Sequence, residues 1–334
     1  MPPPVAEPVI RKEVYITPQD LTGFIVSLGG VKFWAVAIFP MYVGWVLAQP
    51  ETARRLFVDD LGIVLGLVVI GPLLGTFTLL LNTYYDMETT DRVNPRKQYV
   101  RVIEDLIDRE TVRYTAWGFA AIGLLLSAFI SANLVRDRSG PLGGYGFLLL
   151  MVLTTVLSVV YSHPAVRLKG VAGADLVVNV LGFGVICPLA GWSLLQPVDA
   201  FPLWWLLSAA LFVGASYAPT TASDVESDRA FGIRTLAVAL GTNRTMLLGF
   251  AQLVAAVAIL LLGGAAHWFP FSGDAANAVA AIWPFLVAQI ALYAIFLRRP
   301  TQGKIWALIL LLTVLQGLAV LLFLYLFTGN RAYP

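Results

Sequence analysis

The chain has 334 residues, of which 58% are hydrophobic and only 13% charged, and its mean hydropathy is +0.79. Soluble domains carry roughly a quarter of charged residues, so this composition excludes an ordinary water-soluble globular protein. A net charge of +2 is too small for the basic footprint of a nucleic-acid-binding protein, and the one cysteine, Cys187, excludes an internal disulfide framework.

Residues 1–20 hold Arg11 and Lys12 but no apolar stretch. The first such stretch, from Leu21, is too long for a signal-peptide core and lacks a small-residue cleavage site, so residues 1–20 are expected to stay as a cytoplasmic tail. Crossing a bilayer takes about 20 apolar residues. Runs of that order occur near 22–48, 58–84, 112–135, 144–162, 171–195, 202–221, 243–264, 277–297 and 305–328. The expected fold class is all-α, a polytopic membrane bundle of about nine transmembrane helices. No polar stretch is long enough for a soluble domain, so 21–330 is expected to form one membrane-embedded domain, with 85–111 as its longest polar connection. The 29 glycines suit close helix packing in lipid.

Orientation follows from the bias of Lys and Arg in short loops toward the cytoplasm. With alternate connections on the amino-terminal side, most of the 22 basic residues fall there, and only Arg54, Arg55, Arg136, Arg138 and Arg331 lie opposite. The expected location is the cell's inner membrane, with the site facing the cytoplasm, because two acidic clusters share the basic side.

The first cluster runs from Asn82 through Asp86 and Glu88 to Asp91, and the second from Asp224 through Glu226 to Asp228. Side chains at i and i+4 share a helix face, so Asn82 converges with Asp86, and Asp224 with Asp228. Like charges crowded at the edge of a hydrocarbon layer are costly unless something neutralises them. A hard divalent cation does so, and magnesium combines a few carboxylates with substrate phosphates. The pattern suits a diphosphate held by Mg2+, with Arg92, Arg96, Lys97, Arg229 and Arg234 near enough in sequence to add phosphate contacts. The bland alternative is two solvated acidic loops paired with their neighbouring arginines.

At these residues the sequence resembles the UbiA superfamily of intramembrane prenyltransferases. Asn82, Asp86 and Asp91 match its first acidic motif, Asp224 and Asp228 its second, which runs on into Gly232-Ile233-Arg234-Thr235-Leu236. The segment Tyr161-Ser162-His163-Pro164-Ala165-Val166-Arg167-Leu168-Lys169 is a third match, similar to the family's Tyr-to-Lys segment after the fourth helix. The resemblance implies a bundle around a central cavity, Mg2+ held by Asn82, Asp86, Asp91, Asp224 and Asp228, and a prenyl tail leaving toward lipid. It also implies that Tyr161, Arg167 and Lys169 border the diphosphate or acceptor pocket. Asp91 follows Asp86 by five residues, which turns it roughly 140° around an ideal helix. Either the helix ends or bulges near Thr89, or Glu88 completes the motif. Asn82-Thr83-Tyr84-Tyr85-Asp86 looks most like the menaquinone-type branch, whereas Thr220-Thr221-Ala222-Ser223 lacks that branch's Asn and Arg; the second motif resembles the chlorophyll-synthase branch as well.

The expected activity is transfer of a prenyl group from an isoprenoid diphosphate to a lipophilic acceptor, whether aromatic, quinone precursor, tetrapyrrole or polyene, with release of pyrophosphate. The residues expected to carry the chemistry are Asp86, Asp91, Asp224, Asp228 and Tyr161; those expected on the diphosphate are Asn82, Arg92, Lys97, Arg167, Lys169 and Arg229. Membrane lipid is the expected surround, with neither nucleic acid nor an obligate protein partner. A cyclase acting without an acceptor and a cation-coupled transporter are the alternatives, although transporter acids tend to sit near the midplane. His163 is expected to make an ordinary polar contact, His267 to sit at the interface, and Lys32 either to snorkel or to line the cavity.

Overall fold

Inside a membrane the backbone has no water to bond, so an apolar chain satisfies its amides with helices. The computed structural model describes residues 31–56, 60–87, 108–265, 273–298 and 300–329, and among them there are helices and no strand. Helix α1 covers Val31–Ala48, α2 Leu61–Asp86, α3 Arg109–Asn133, α4 Gly146–Ser162, α5 Ala174–Trp192 and α6 Leu203–Ser223. Two short helices follow, α7 Val225–Ala230 and α8 Leu236–Leu240. The chain continues with α9 Thr242–Ala265, α10 Gly273–Ala281, α11 Trp283–Leu297 and α12 Gln302–Phe327.

Helices α2, α3, α5, α6, α9 and α12 are long and apolar enough to cross a membrane. The runs expected at 22–48, 144–162 and 277–297 hold shorter apolar helices, so six, not nine, reach spanning length among the described residues. For the last run the cause is local. Pro284, near the start of α11, has no amide hydrogen to donate, and the helix breaks at Ile282 between α10 and α11. Elsewhere a π turn absorbs the proline: Val69–Leu73 within α2 contains Pro72, and Val180–Ile186 within α5 precedes Pro188.

Helix α5 lies against α1 through its last turns, where Gly44 and Gly191 let the two backbones touch: a Cβ on Gly191 would collide with the Met41 carbonyl, and one on Gly44 with that of Pro188. Helix α2 packs on α3 and α4; α6 packs on α9, α12 and the π turn of α5; α11 packs on α9 and α12. Buried Met41, Trp45, Phe147, Tyr293 and Phe327 belong to the main core. A smaller cluster of Phe77, Leu80, Leu81, Met87, Val112, Ala116 and Ala120 supports the far end of α2, where the first acidic motif lies. Large apolar side chains such as Leu125, Ile295 and Leu310 point outward, as expected of a lipid-facing surface.

Hydroxyl and amide pairs cross-link the spans: Thr78 to Ser158 at 2.7 Å, Gln316 to Ser216 at 3.0 Å, and Ser208 to the Ala256 carbonyl at 3.0 Å. Such bonds contribute about 0.6 kcal/mol each in a membrane protein, so they fix register more than they add stability.

Candidate active site

Asn82 and Asp86 occupy the last turns of α2, one turn apart on the same face, and Asp86 is buried. The segment after α4 closes over them. Backbone bonds from Val166 and Arg167 to the His163 carbonyl, 3.1 and 2.8 Å, make a tight turn, and Arg167 takes φ +46°. It is the one non-glycine residue with positive φ among the described residues. The short turn Leu168–Gly170 then directs Lys169 inward, its Nζ 2.5 Å from Asp86 Oδ2 and 2.9 Å from Asn82 Oδ1. Arg167 Nη2 lies 3.5 Å from Asp86 Oδ1, and Ser162 Oγ donates to Asn82 Oδ1 at 3.3 Å. Arg167 Nε is buried with no hydrogen-bond acceptor among the described residues.

Aromatic and cationic side chains fix this end of α2. Arg109 Nε donates to the Tyr84 carbonyl at 3.1 Å while its guanidinium stacks 4.5 Å above the Tyr84 ring. Tyr85 meets Tyr84 and His163 edge-on, at 4.8 and 5.5 Å. His163 is exposed, and its Nδ1 accepts from the Ala165 amide at 3.2 Å, the ordinary polar contact expected.

The second motif forms where α6 ends. Asp224 leaves helical geometry, and the Asp228 amide bonds its carbonyl at 2.9 Å. Gly232, at φ +66°, lets the Ile233 amide return to the Asp228 carbonyl at 2.9 Å. That turn brings Thr235 back, and its hydroxyl donates to Asp228 Oδ2 at 3.1 Å. Burial pushes the Asp228 carboxyl up to about 7, with the Asp224 carboxylate the next cause. Asp175 and Asp86 add to the repulsion, and the Thr235 bond opposes it. The two motifs therefore feel each other's charge.

Arg229 and Arg234 are exposed, with no ion pair to a described residue. Glu88, Asp91, Arg92, Arg96 and Lys97 lie outside the described residues, as do the tail 1–20, His267 and the side chain of Lys32. Among the described residues no three acidic, histidine or cysteine side chains group closely enough to hold one metal ion. Cys187 is buried and unpaired.

Residues 37–315 match the sequence profile of the UbiA prenyltransferase family. The chain belongs to that family. The helical architecture is UbiA-like as well: a UbiA homologue from Archaeoglobus fulgidus bound to GPP and Mg2+ superposes with a TM-score of 0.64 at 18% identity, covering 89% of this chain and 98% of that one. A digeranylgeranylglyceryl phosphate synthase gives a TM-score of 0.63 at 16% identity over 92% of this chain and 99% of the other. Two curated relatives resemble the chain in sequence. One is the C(50) beta-cyclic carotenoids biosynthesis protein LbtBC of Dietzia sp. (strain CQ4), 27% identical over 72% of this chain and 51% of that protein. The other is a lycopene elongase/hydratase of Haloarcula japonica, 28% identical over 71% of this chain and 74% of that protein. The chain thus spans about half the length of the first relative.

Within this UbiA bundle one acidic residue stands out that the motifs do not include. Asp175, in the first turn of α5, is fully buried. Its carboxylate accepts from the Gly173 amide at 2.9 Å, the Leu236 amide at 3.1 Å and the Tyr217 hydroxyl at 3.4 Å. Tyr217 also meets Tyr161, whose hydroxyl accepts from Asn179 Nδ2 at 3.3 Å. The one advance signal was an ionisable side chain inside an apolar run.

Proposed function

We propose that this UbiA-family protein transfers a prenyl group from an isoprenoid diphosphate to a lipophilic acceptor in a Mg2+-dependent reaction that releases pyrophosphate, and that the acceptor is a carotenoid-type polyene. The observation that carries the transfer reaction is the meeting, at one end of the bundle, of hard oxygen donors with the cations of Lys169 and Arg167. Asp86, Asp224 and Asp228 present carboxylate oxygens and Asn82 its amide oxygen, and the crowding felt by Asp228 calls for a countercharge; both fit magnesium. The orphaned Nε of Arg167 fits an anionic oxygen. The acceptor class is supported by the two carotenoid-pathway relatives.

In this reading Asn82, Asp86, Asp91, Asp224 and Asp228 hold the metal. Arg92, Lys97, Arg167, Lys169 and Arg229 take phosphate oxygens, and Tyr161 borders the reacting carbon. The metal, when bound, supplies positive charge that offsets the charge developing on the leaving pyrophosphate. Lys169 and Arg167 add to it from the protein side. The allylic carbon–oxygen bond breaks with its electron pair leaving on pyrophosphate, and an acceptor double bond supplies the pair for the new carbon–carbon bond. The positive charge left on the acceptor is discharged by loss of a proton or addition of water. Residues 21–330 form the membrane domain, and the basic bias of its loops supports a site facing the cytoplasm from the inner membrane.

The test is pyrophosphate release and product analysis with detergent-purified protein. Dimethylallyl, geranyl, farnesyl and geranylgeranyl diphosphates are supplied with magnesium or EDTA, with lycopene, quinone precursors, chlorophyllides or no acceptor. Magnesium-dependent release that requires lycopene and is lost in Asp86→Ala and Asp228→Ala is expected. A requirement for another acceptor refutes the polyene assignment, a cyclic product without acceptor refutes transfer, and unchanged release in both variants removes the site.

A further inference from the structure

The buried carboxylate of Asp175 ties the start of α5 to the start of α8. Through Oδ1 it holds the Gly173 amide, in the short segment that follows Lys169 and leads into α5. Through Oδ2 it holds the Leu236 amide, 61 residues away, beside the Thr235 whose hydroxyl bonds Asp228 Oδ2. Four hydrogen bonds and the chain between them thus join the two acidic motifs: Asp86 to Lys169, along the chain to Gly173, Gly173 to Asp175, Asp175 to Leu236, and its neighbour Thr235 to Asp228.

A buried carboxylate is costly, and this one is compensated by neutral donors, among them the Gly173 and Leu236 amides and the Tyr217 hydroxyl. Several donors converge on the carboxylate, which as an ion only accepts, so asparagine replaces it only in part: its amide nitrogen would face one of them. A bond between α5 and α8 at this point limits how far the Thr235 segment, and with it Asp228, moves from Asp86.

We propose that Asp175 is a positioning residue that sets the spacing of the two acidic motifs, and so the affinity for the metal–diphosphate pair, without touching substrate. The proposal rests on the reading that both motifs bind that pair.

Its test uses the full-length protein in detergent, with Mn2+ as a paramagnetic probe in place of Mg2+ and dimethylallyl thiolodiphosphate as an unreactive diphosphate. Binding is read by electron paramagnetic resonance, alongside steady-state kinetics. Asp175→Ala is expected to weaken Mn2+ binding and to raise the KM for prenyl diphosphate by about tenfold or more, the scale of losing hydrogen bonds to a charged group. The kcat at saturating Mg2+ is expected to stay within about threefold, since uniform binding is what is lost. Asp175→Asn keeps part of the bonding and falls between the two, and Thr235→Val shifts Mn2+ affinity in the same direction as Asp175→Ala. Where Asp175→Ala fails to purify as a monodisperse species, Asp175→Asn and Thr235→Val decide. Wild-type Mn2+ affinity in these variants overturns the proposal and leaves Asp175 a structural tie. Failure of the wild-type protein itself to bind Mn2+ with the thiolodiphosphate overturns the underlying reading of the site, and the inference with it.

Discussion

Lys169 Nζ sits 2.5 Å from Asp86 Oδ2 although the two residues are 83 positions apart, and both side chains are buried, 8% and 6% exposed. The ammonium holds, together with the Arg167 guanidinium 3.5 Å from Asp86 Oδ1, the carboxylate that is proposed to meet the metal. Removing one member of a buried pair costs about 3 kcal/mol where the remaining charge has no other partner, and Arg167 beside Asp86 makes the loss here smaller. Lys169→Met is therefore expected to lower the thermal unfolding midpoint in detergent and to abolish pyrophosphate release. Adding Asp86→Asn to Lys169→Met removes the stranded charge, so it restores the midpoint without restoring activity. Thermal unfolding followed by tryptophan fluorescence reads the first effect, and a midpoint that stays low in the double variant contradicts it.

At Asp228, burial and then the Asp224 carboxylate push the carboxyl from near 3.8 to about 7. A carboxyl with a raised folded value binds more protons folded than unfolded, so stability falls as pH rises through the interval between the two values. In EDTA, the contribution of Asp228 to stability is expected to be complete below about pH 4 and lost by about pH 7. Asp228→Asn, which cannot ionise, is expected to flatten that slope. Thermal midpoints at half-unit pH steps check it, and equal slopes in the two proteins contradict it.

Packing without side chains governs the contact between α1 and α5. At Gly191 a methyl group collides with the Met41 carbonyl, a rigid backbone atom, whereas at Gly118 nothing lies within 4 Å. Gly191→Ala is expected to destabilise the protein by about 2 kcal/mol or to block its accumulation. Gly118→Ala, in an outward-facing part of α3, is expected to be neutral or slightly stabilising, by up to about 1 kcal/mol. Comparing monodisperse yield and thermal midpoint for the two separates collision from a general intolerance of helix glycines.

The acidic motifs were legible because they are local: the i, i+4 spacing of Asn82 with Asp86 sets a shared face before any tertiary contact forms, and α2 realises it. Apolar runs located the helices for the same reason. Length misled at α11, where Pro284 ends the bonding pattern that composition alone would continue. The seating of Lys169 on Asp86 was hidden, since the Tyr161–Lys169 segment reveals its residue types but not which carboxylate it closes over. Asp175 was harder still, because most of its donors are backbone amides, which look alike at every position of a sequence.

Arg167 combines strain with an unmet bond. Its φ of +46° is a region that side-chain-bearing residues enter at a cost of about 1 kcal/mol or more, and its buried Nε lacks an acceptor among the described residues. Glycine at this position removes the strain and the guanidinium together. Arg167→Gly is therefore expected to unfold no earlier than wild type while the KM for prenyl diphosphate rises by about tenfold, the scale of a lost charge-assisted contact. Arg167→Lys keeps the charge and the strain but loses the fork of donors, so it is expected to recover only part of the affinity. Unfolding midpoints and diphosphate KM values measured together decide the matter. If Arg167→Gly lowers the midpoint and leaves KM alone, the residue shapes the turn and does not bind phosphate.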